Sequence, residues 1–179
     1  MRLSALVLAS MIAGGAAHAQ HAPSPYAGLE GRSIKALSPQ QIADLKAGRG
    51  MGLALAAELN GYPGPMHVAE LARDLRLSDE QKRKVAELTA EMRKEAIRLG
   101  EELIAAEADL DAAFATKSLD EASLAAKVAR NGEIQAALRT AHLKYHLTTK
   151  ALLTPEQIIA YAQLRGYAGG GTHHHRRHH

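Results

Sequence analysis

The sequence has no cysteine and no tryptophan, and its aromatics are Phe114 and five tyrosines. Without thiols there is no thiolate metal ligand, no cysteine nucleophile and no disulfide to staple the fold. The lack suits an oxidising compartment, where a stray thiol is a liability. So few aromatics leave base stacking little to work with, and a formal charge of +3 builds no large basic field. Nucleic-acid binding is therefore not expected. After the N-terminal apolar run, no segment is apolar enough to cross a bilayer. No nucleophile–base pairing or buried acid pair stands out either, so an enzyme is not expected.

What is present begins with a leader. Arg2, the apolar run from Leu3 to Ile12 and Ala17-His18-Ala19 ahead of Gln20 follow the plan of a secretory signal peptide cut after Ala19. The expected product is exported, with a bacterial periplasm as its natural location. Residues 20–36, rich in Pro, Gly, Ser and Ala without periodicity, read as a flexible arm. Residues 37–65 read as short helices and a Gly/Pro turn, 66–166 as a helical domain, and 167–179 as a disordered His-rich tail. Gly48-x-Gly50-x-Gly52 lacks the spacing, the preceding strand and the Lys-Ser/Thr of a phosphate loop, which leaves loop glycines.

One local pattern recurs. Leu37-Ser38-Pro39-Gln40-Gln41, Leu77-Ser78-Asp79-Glu80-Gln81 and Leu153-Thr154-Pro155-Glu156-Gln157 all read L-[ST]-x-x-Q. The Ser or Thr takes the N-cap, and the Gln three residues on reaches back to the cap N–H, which is a capping box. Pro39 and Pro155 fall at the first helical position, where a missing N–H costs nothing. Ser118-Leu119-Asp120-Glu121 has the same form and is expected to start a further helix.

Val85, Leu88, Met92, Ala96, Leu99, Leu103, Ala106, Leu110 and Phe114 recur at spacings of three and four and predict one long helix over 79–115. Gly100 within it costs about 1 kcal/mol against Ala and suggests a slight bend. A second long helix over 119–151 presents Leu124, Val128, Ile134, Leu138, Tyr145 and Leu152. The link at 115–118 allows only an antiparallel turn. Shorter helices are expected at 51–59, 66–75 and 155–165. The fold class is all-α: a long antiparallel helical hairpin with short flanking helices and disordered termini. So thin a hairpin covers one face of each helix, and homodimerisation would cover the other.

His142 and His146 are one helical turn apart and project from one side. H-x-x-x-H on a helix is a two-point anchor for a divalent transition metal such as Zn, Ni, Co or Cu. The plainer alternative is a pair of half-buried polar residues at the margin of the packed face. A helix folding back from Leu77 lifts His67 by about 12–15 Å, to the level of His142 and His146. Three imidazoles then share one height, with Met66 nearby as a soft donor. No carboxylate joins them: Glu87 and Glu91 have the height but fall on the outer face. The tail adds His173, His174, His175, His178 and His179, a loose metal binder without geometric selectivity.

The paired L-[ST]-x-x-Q boxes around a long hairpin, in an exported cysteine-free chain, resemble the Spy/CpxP superfamily of periplasmic LTxxQ proteins. The resemblance covers about residues 66–165. "HLKYHLTTKALLTPEQ" and "ELNGYPGPMHVAELA" are more similar to the heavy-metal-resistance branch, with its CnrX-type nickel/cobalt sensors and the zinc-resistance-associated protein. The resemblance implies a four-helix hooked hairpin, a dimer, and either metal sensing or ATP-independent chaperoning. It implies His67 as the first-helix ligand and His142 and His146 as third-helix ligands, although the first helix carries one histidine instead of a pair. It further implies a membrane sensor or anti-sigma partner for a sensor, and unfolded clients for a chaperone. For the chaperone, a concave face would mix apolar residues with Arg93, Arg98, Arg130 and Arg139.

Overall fold

A computed structural model describes residues 24–167. The expected signal peptide and the tail histidines His173, His174, His175, His178 and His179 lie outside that range. Residues 24–30 run mostly through turns and belong to a separate unit, and all the described helices belong to the unit from Gly31 onward.

Every regular element among the described residues is helical. The helices are α1 (Pro39–Lys46), α2 (Leu55–Glu58), α3 (Pro65–Glu70), α4 (Asp79–Ala115), α5 (Glu121–Leu152) and α6 (Pro155–Leu164). The two long ones form the expected antiparallel hairpin; α1 and α3 lie on α4, and α2 lies against α5.

All three L-[ST]-x-x-Q boxes close as capping boxes. Ser38, Ser78 and Thr154 each accept the N–H of the Gln three residues on, and each Gln returns its side-chain oxygen to the cap N–H. The leucine ahead of each cap, Leu37, Leu77 or Leu153, is buried and fixes the angle at which the chain enters the helix. The second and third boxes also hold each other. Gln81 Nε2 donates to Leu152 O and Gln157 Oε1, both at 2.8 Å. Gln157 Nε2 donates to Leu75 O at 3.2 Å and Gln81 Oε1 at 3.1 Å. This reciprocal amide pair locks the hook before α4 to the hook before α6.

The fourth box forms two residues later than expected. Asp120, not Ser118, caps α5 and pairs with Ser123. Ser118 is committed to ending α4: its N–H bonds to Ala113 O at 3.1 Å, after Lys117 turns left-handed at φ 53°. α3 is likewise shorter than the expected 66–75, and turns lead from Leu71 toward Leu77.

Two apolar clusters hold the unit. At the hooked end Val68, Leu75, Leu77, Val85, Leu153 and Tyr161 pack together. Further along, Ile34, Leu37 and Leu45 cover Ala96, Leu99, Leu103, Ile134, Leu138 and Ala141. The packed region thus begins by Ile34, within the stretch whose composition reads as an arm. Beyond these clusters no third helix among the described residues covers the hairpin, and the predicted stripe fails there. Phe114 is 58% exposed and Val128 53%, while Ala113 takes the buried position beside Phe114.

Gly100 has a packing reason. A Cβ there would lie 2.5 Å from Leu45 O and 3.0 Å from its carbonyl carbon. Only glycine lets the end of α1 press so closely on α4.

Candidate metal centre

α2 is a single helical turn without a side-chain cap, and it buries Ala57 and Glu58. The chain then reverses, with Tyr62 N bonding back to Ala57 O at 3.1 Å. The reversal is pinned to α5 twice. His146 Nδ1 lies 2.7 Å from Tyr62 O, and Lys150 Nζ sits 3.7 Å over the Tyr62 ring. A carbonyl can only accept, so His146 Nδ1 carries the proton and Nε2 keeps the lone pair.

The Glu58 carboxylate has two unlike oxygens. Oε1 accepts hydrogen bonds from Tyr161 OH and from Tyr167 OH, the latter at 3.1 Å. Arg165 Nε lies 3.8 Å from Oε1, and His67 Nδ1 lies 3.5 Å from it. Oε2 is buried with no hydrogen-bond partner, 3.6 Å from His146 Nδ1. Burial pushes the Glu58 pKa up, but the contacts from His67, Tyr161 and Tyr167 outweigh it and hold it at about 2. The group is therefore an anion under all ordinary conditions. Burial, and then the bond to that anion, push the Tyr161 hydroxyl well above the usual range, which keeps it a donor.

Gly64 lines the same spot. A Cβ there would lie 2.9 Å from His146 Cε1, 3.1 Å from its Nε2 and 3.5 Å from Glu58 Oε2. The missing side chain leaves room between imidazole and carboxylate.

His142, one turn before His146, is 3% exposed, and its Nε2 is also buried without a partner. Burial, then the neighbouring His146, lower its pKa, so the ring is neutral near pH 7. The half-buried reading of the two histidines gives way here: α5 buries Asn131, Ile134, Leu138, Ala141, His142, Tyr145, His146 and Thr149 on one face. Both imidazoles belong to that face, not to its margin.

The structure brings His67 and His146 to opposite sides of one carboxylate. Met66, in contrast, is 46% exposed on α3. Among the described residues no three His, Asp or Glu side chains already form a group that could hold a metal ion. Glu58 is the residue that sequence reasoning missed. It lies on a four-residue helix flanked by turns, where periodicity carries no information. Glu87 and Glu91 are exposed, as their outer-face placement predicts.

Among known proteins, the sequence model described as "LTXXQ motif family protein" matches residues 64–165. No curated protein and no solved structure matches this chain significantly.

Proposed function

The chain belongs to the LTXXQ motif family, and from that premise we propose that it is a non-catalytic periplasmic protein of the Spy/CpxP type that binds a divalent transition metal at the hooked end of its hairpin, in metal sensing or resistance. The observation that carries this reading is Glu58 Oε2: a buried anionic oxygen with no hydrogen bond, facing His146 across the gap at Gly64. Buried charges are normally paired or coordinate metals. Oε1 is anchored by two tyrosines, so Oε2 is held ready as a donor. His146 donates Nδ1–H to a backbone carbonyl, the arrangement that orients metal-binding histidines and leaves Nε2 free.

His67 supplies a second imidazole beside the carboxylate, and His142 lies one turn before His146 on α5. Imidazole with carboxylate suits Zn, Ni, Co or Cu. Held there, a metal would add positive charge on the Oε2 side of a carboxylate whose Oε1 already meets Arg165 and His67. His67 would have to close on the site from its half-exposed position on α3.

Titration calorimetry tests this on the full chain with the five tail histidines changed to Ala, which removes loose binding by the tail. One equivalent of Zn, Ni, Co or Cu should bind, and Glu58→Gln or His146→Ala should weaken binding by about 100-fold or more.

A second reading, an ATP-independent holdase, is supported by the large apolar side chains left exposed: Leu55, Leu59, Leu147 and Ile159 are each 55–60% accessible. Absent metal binding, together with suppressed aggregation of a denatured client, would favour the holdase.

A further inference from the structure

One carboxylate serves two elements. Through Oε2 Glu58 faces His146 on α5; through Oε1 it holds the end of the described chain. Tyr161 is on α6, and Tyr167 lies three residues beyond that helix. Arg165 between them donates to Tyr167 OH at 3.3 Å and lies with its guanidinium 5.8 Å from the Tyr167 ring centroid. The tyrosine rings meet edge to face at 6.5 Å. Arg165 and both hydroxyls therefore converge on Oε1, and that anion is what they share. Ile158 and Tyr161 add apolar packing at the base of α6. Past Leu164 the chain leaves the helix in a turn closed by Tyr167 N–H to Ala162 O at 2.8 Å, and the Tyr167 ring rests at the edge of the same apolar cluster.

We infer that the segment from Tyr161 to Tyr167 reads the charge at Glu58, so that capture of a divalent cation at Oε2 loosens it. This rests on the metal-binding reading above. The cause is electrostatic. With the carboxylate alone, Arg165 faces a net charge of −1, and both hydroxyls donate to a full anion. With a dication on Oε2 the same spot is net +1. Arg165 is then repelled, and Oε1 becomes a weaker acceptor because the cation draws its electron density. The apolar base of α6 does not feel this change, so the effect is confined to the turn that carries Arg165 and Tyr167.

Coupling between two sites is reciprocal. If the cation weakens the segment's attachment, the Arg165 charge must weaken the cation's binding. Arg165 is therefore a positioning residue for the segment and an antagonist of metal capture.

The probe is zinc alone, added to the full chain with the five tail histidines changed to Ala, with two readouts. Hydrogen exchange should speed up several-fold at residues 163–167 on zinc addition and stay unchanged or slow at 143–150. Arg165→Gln should tighten zinc binding by about 10-fold at low ionic strength, and by less in high salt. Zinc binding with slowed or unchanged exchange at 163–167 overturns the coupling and leaves the metal reading standing. So does an unchanged or weaker affinity in Arg165→Gln. No zinc heat in either protein overturns the metal reading itself, and the coupling with it.

Discussion

His142 buries an imidazole whose Nε2 has no partner. An unsatisfied buried polar atom costs on the order of 1–3 kcal/mol, so a residue chosen for packing alone would be apolar here. His142→Leu conserves approximate volume and removes the orphan. We expect it to raise stability by about 1 kcal/mol in urea unfolding and to weaken metal binding. A stability loss of more than about 1 kcal/mol would show that the ring packs for its own sake. Gly64→Ala probes the neighbouring gap. Its Cβ must displace the His146 ring or the turn around Tyr62, since 2.9 Å is closer than such contacts allow. Metal binding should fall by about 10-fold or more, with a stability cost of about 1–3 kcal/mol. The two histidines are legible in the sequence because H-x-x-x-H is a pattern within one helix. Glu58 is not, because its meaning depends on a loop folding back between α3, α5 and α6, and no local spacing encodes that. The same holds for Tyr161 and Tyr167, whose shared acceptor is distant in sequence.

At the scale of elements, the legible part of the fold is what local chemistry decides. Three capping boxes form where Ser or Thr precedes Gln by three, because both hydrogen bonds of a box lie within one turn. The fourth shifts from Ser118 to Asp120 because closing α4 already uses the Ser118 N–H. The bond between boxes is not legible. Gln81 and Gln157 exchange amide hydrogen bonds across the hairpin, so the motif's glutamine has a tertiary role beyond its cap. Gln81→Ala and Gln157→Ala should each cost about 2 kcal/mol, and the double variant less than the sum by about 0.5 kcal/mol or more. Strict additivity in a double-mutant cycle would assign the glutamines to capping alone. Gly100 sets propensity against packing. Alanine gains about 1 kcal/mol of helix propensity, but its Cβ would lie 2.5 Å from a backbone carbonyl that α1 cannot easily move. Packing wins, and Gly100→Ala should destabilise by about 2–3 kcal/mol net. Equal or greater stability in urea would show that α1 is free to slide.

For the molecule as a whole, the hooked end joins one apolar cluster to the Glu58 charges and a second apolar cluster lies further along, while at the far end of the hairpin the two long helices have, among the described residues, no third helix against them. The predicted apolar stripe is buried at Val85, Met92, Ala96, Leu99 and Leu103, half-buried at Leu88, Ala106 and Leu110, and exposed at Phe114, because period alone does not say where a third element stops covering the hairpin. Charge makes the hooked end answer to acid. Glu58 has a folded pKa of about 2 against an ordinary 4.5, a depressed value. Its contribution is therefore complete above pH 4.5 and is lost as pH falls toward 2. Full expression of that shift is on the order of 3 kcal/mol, of which about 2 kcal/mol disappears between about pH 5 and pH 3. Asp44, Glu80, Glu95, Asp120 and Glu156 also have lowered pKa values from local partners. Glu80, Asp120 and Glu156 sit in solvent, and the half-buried Asp44 and Glu95 pair with Arg49 and Lys144, whose own side chains are largely exposed, so such contacts contribute less. The acid slope should therefore belong chiefly to Glu58. Urea unfolding of the metal-free protein should show a loss of about 2 kcal/mol from about pH 5 to pH 3, and Glu58→Gln should be less stable at the upper end but lose less than about half as much over that range. An equally steep loss in the glutamine variant would place the acid-sensitive contacts elsewhere in the hairpin.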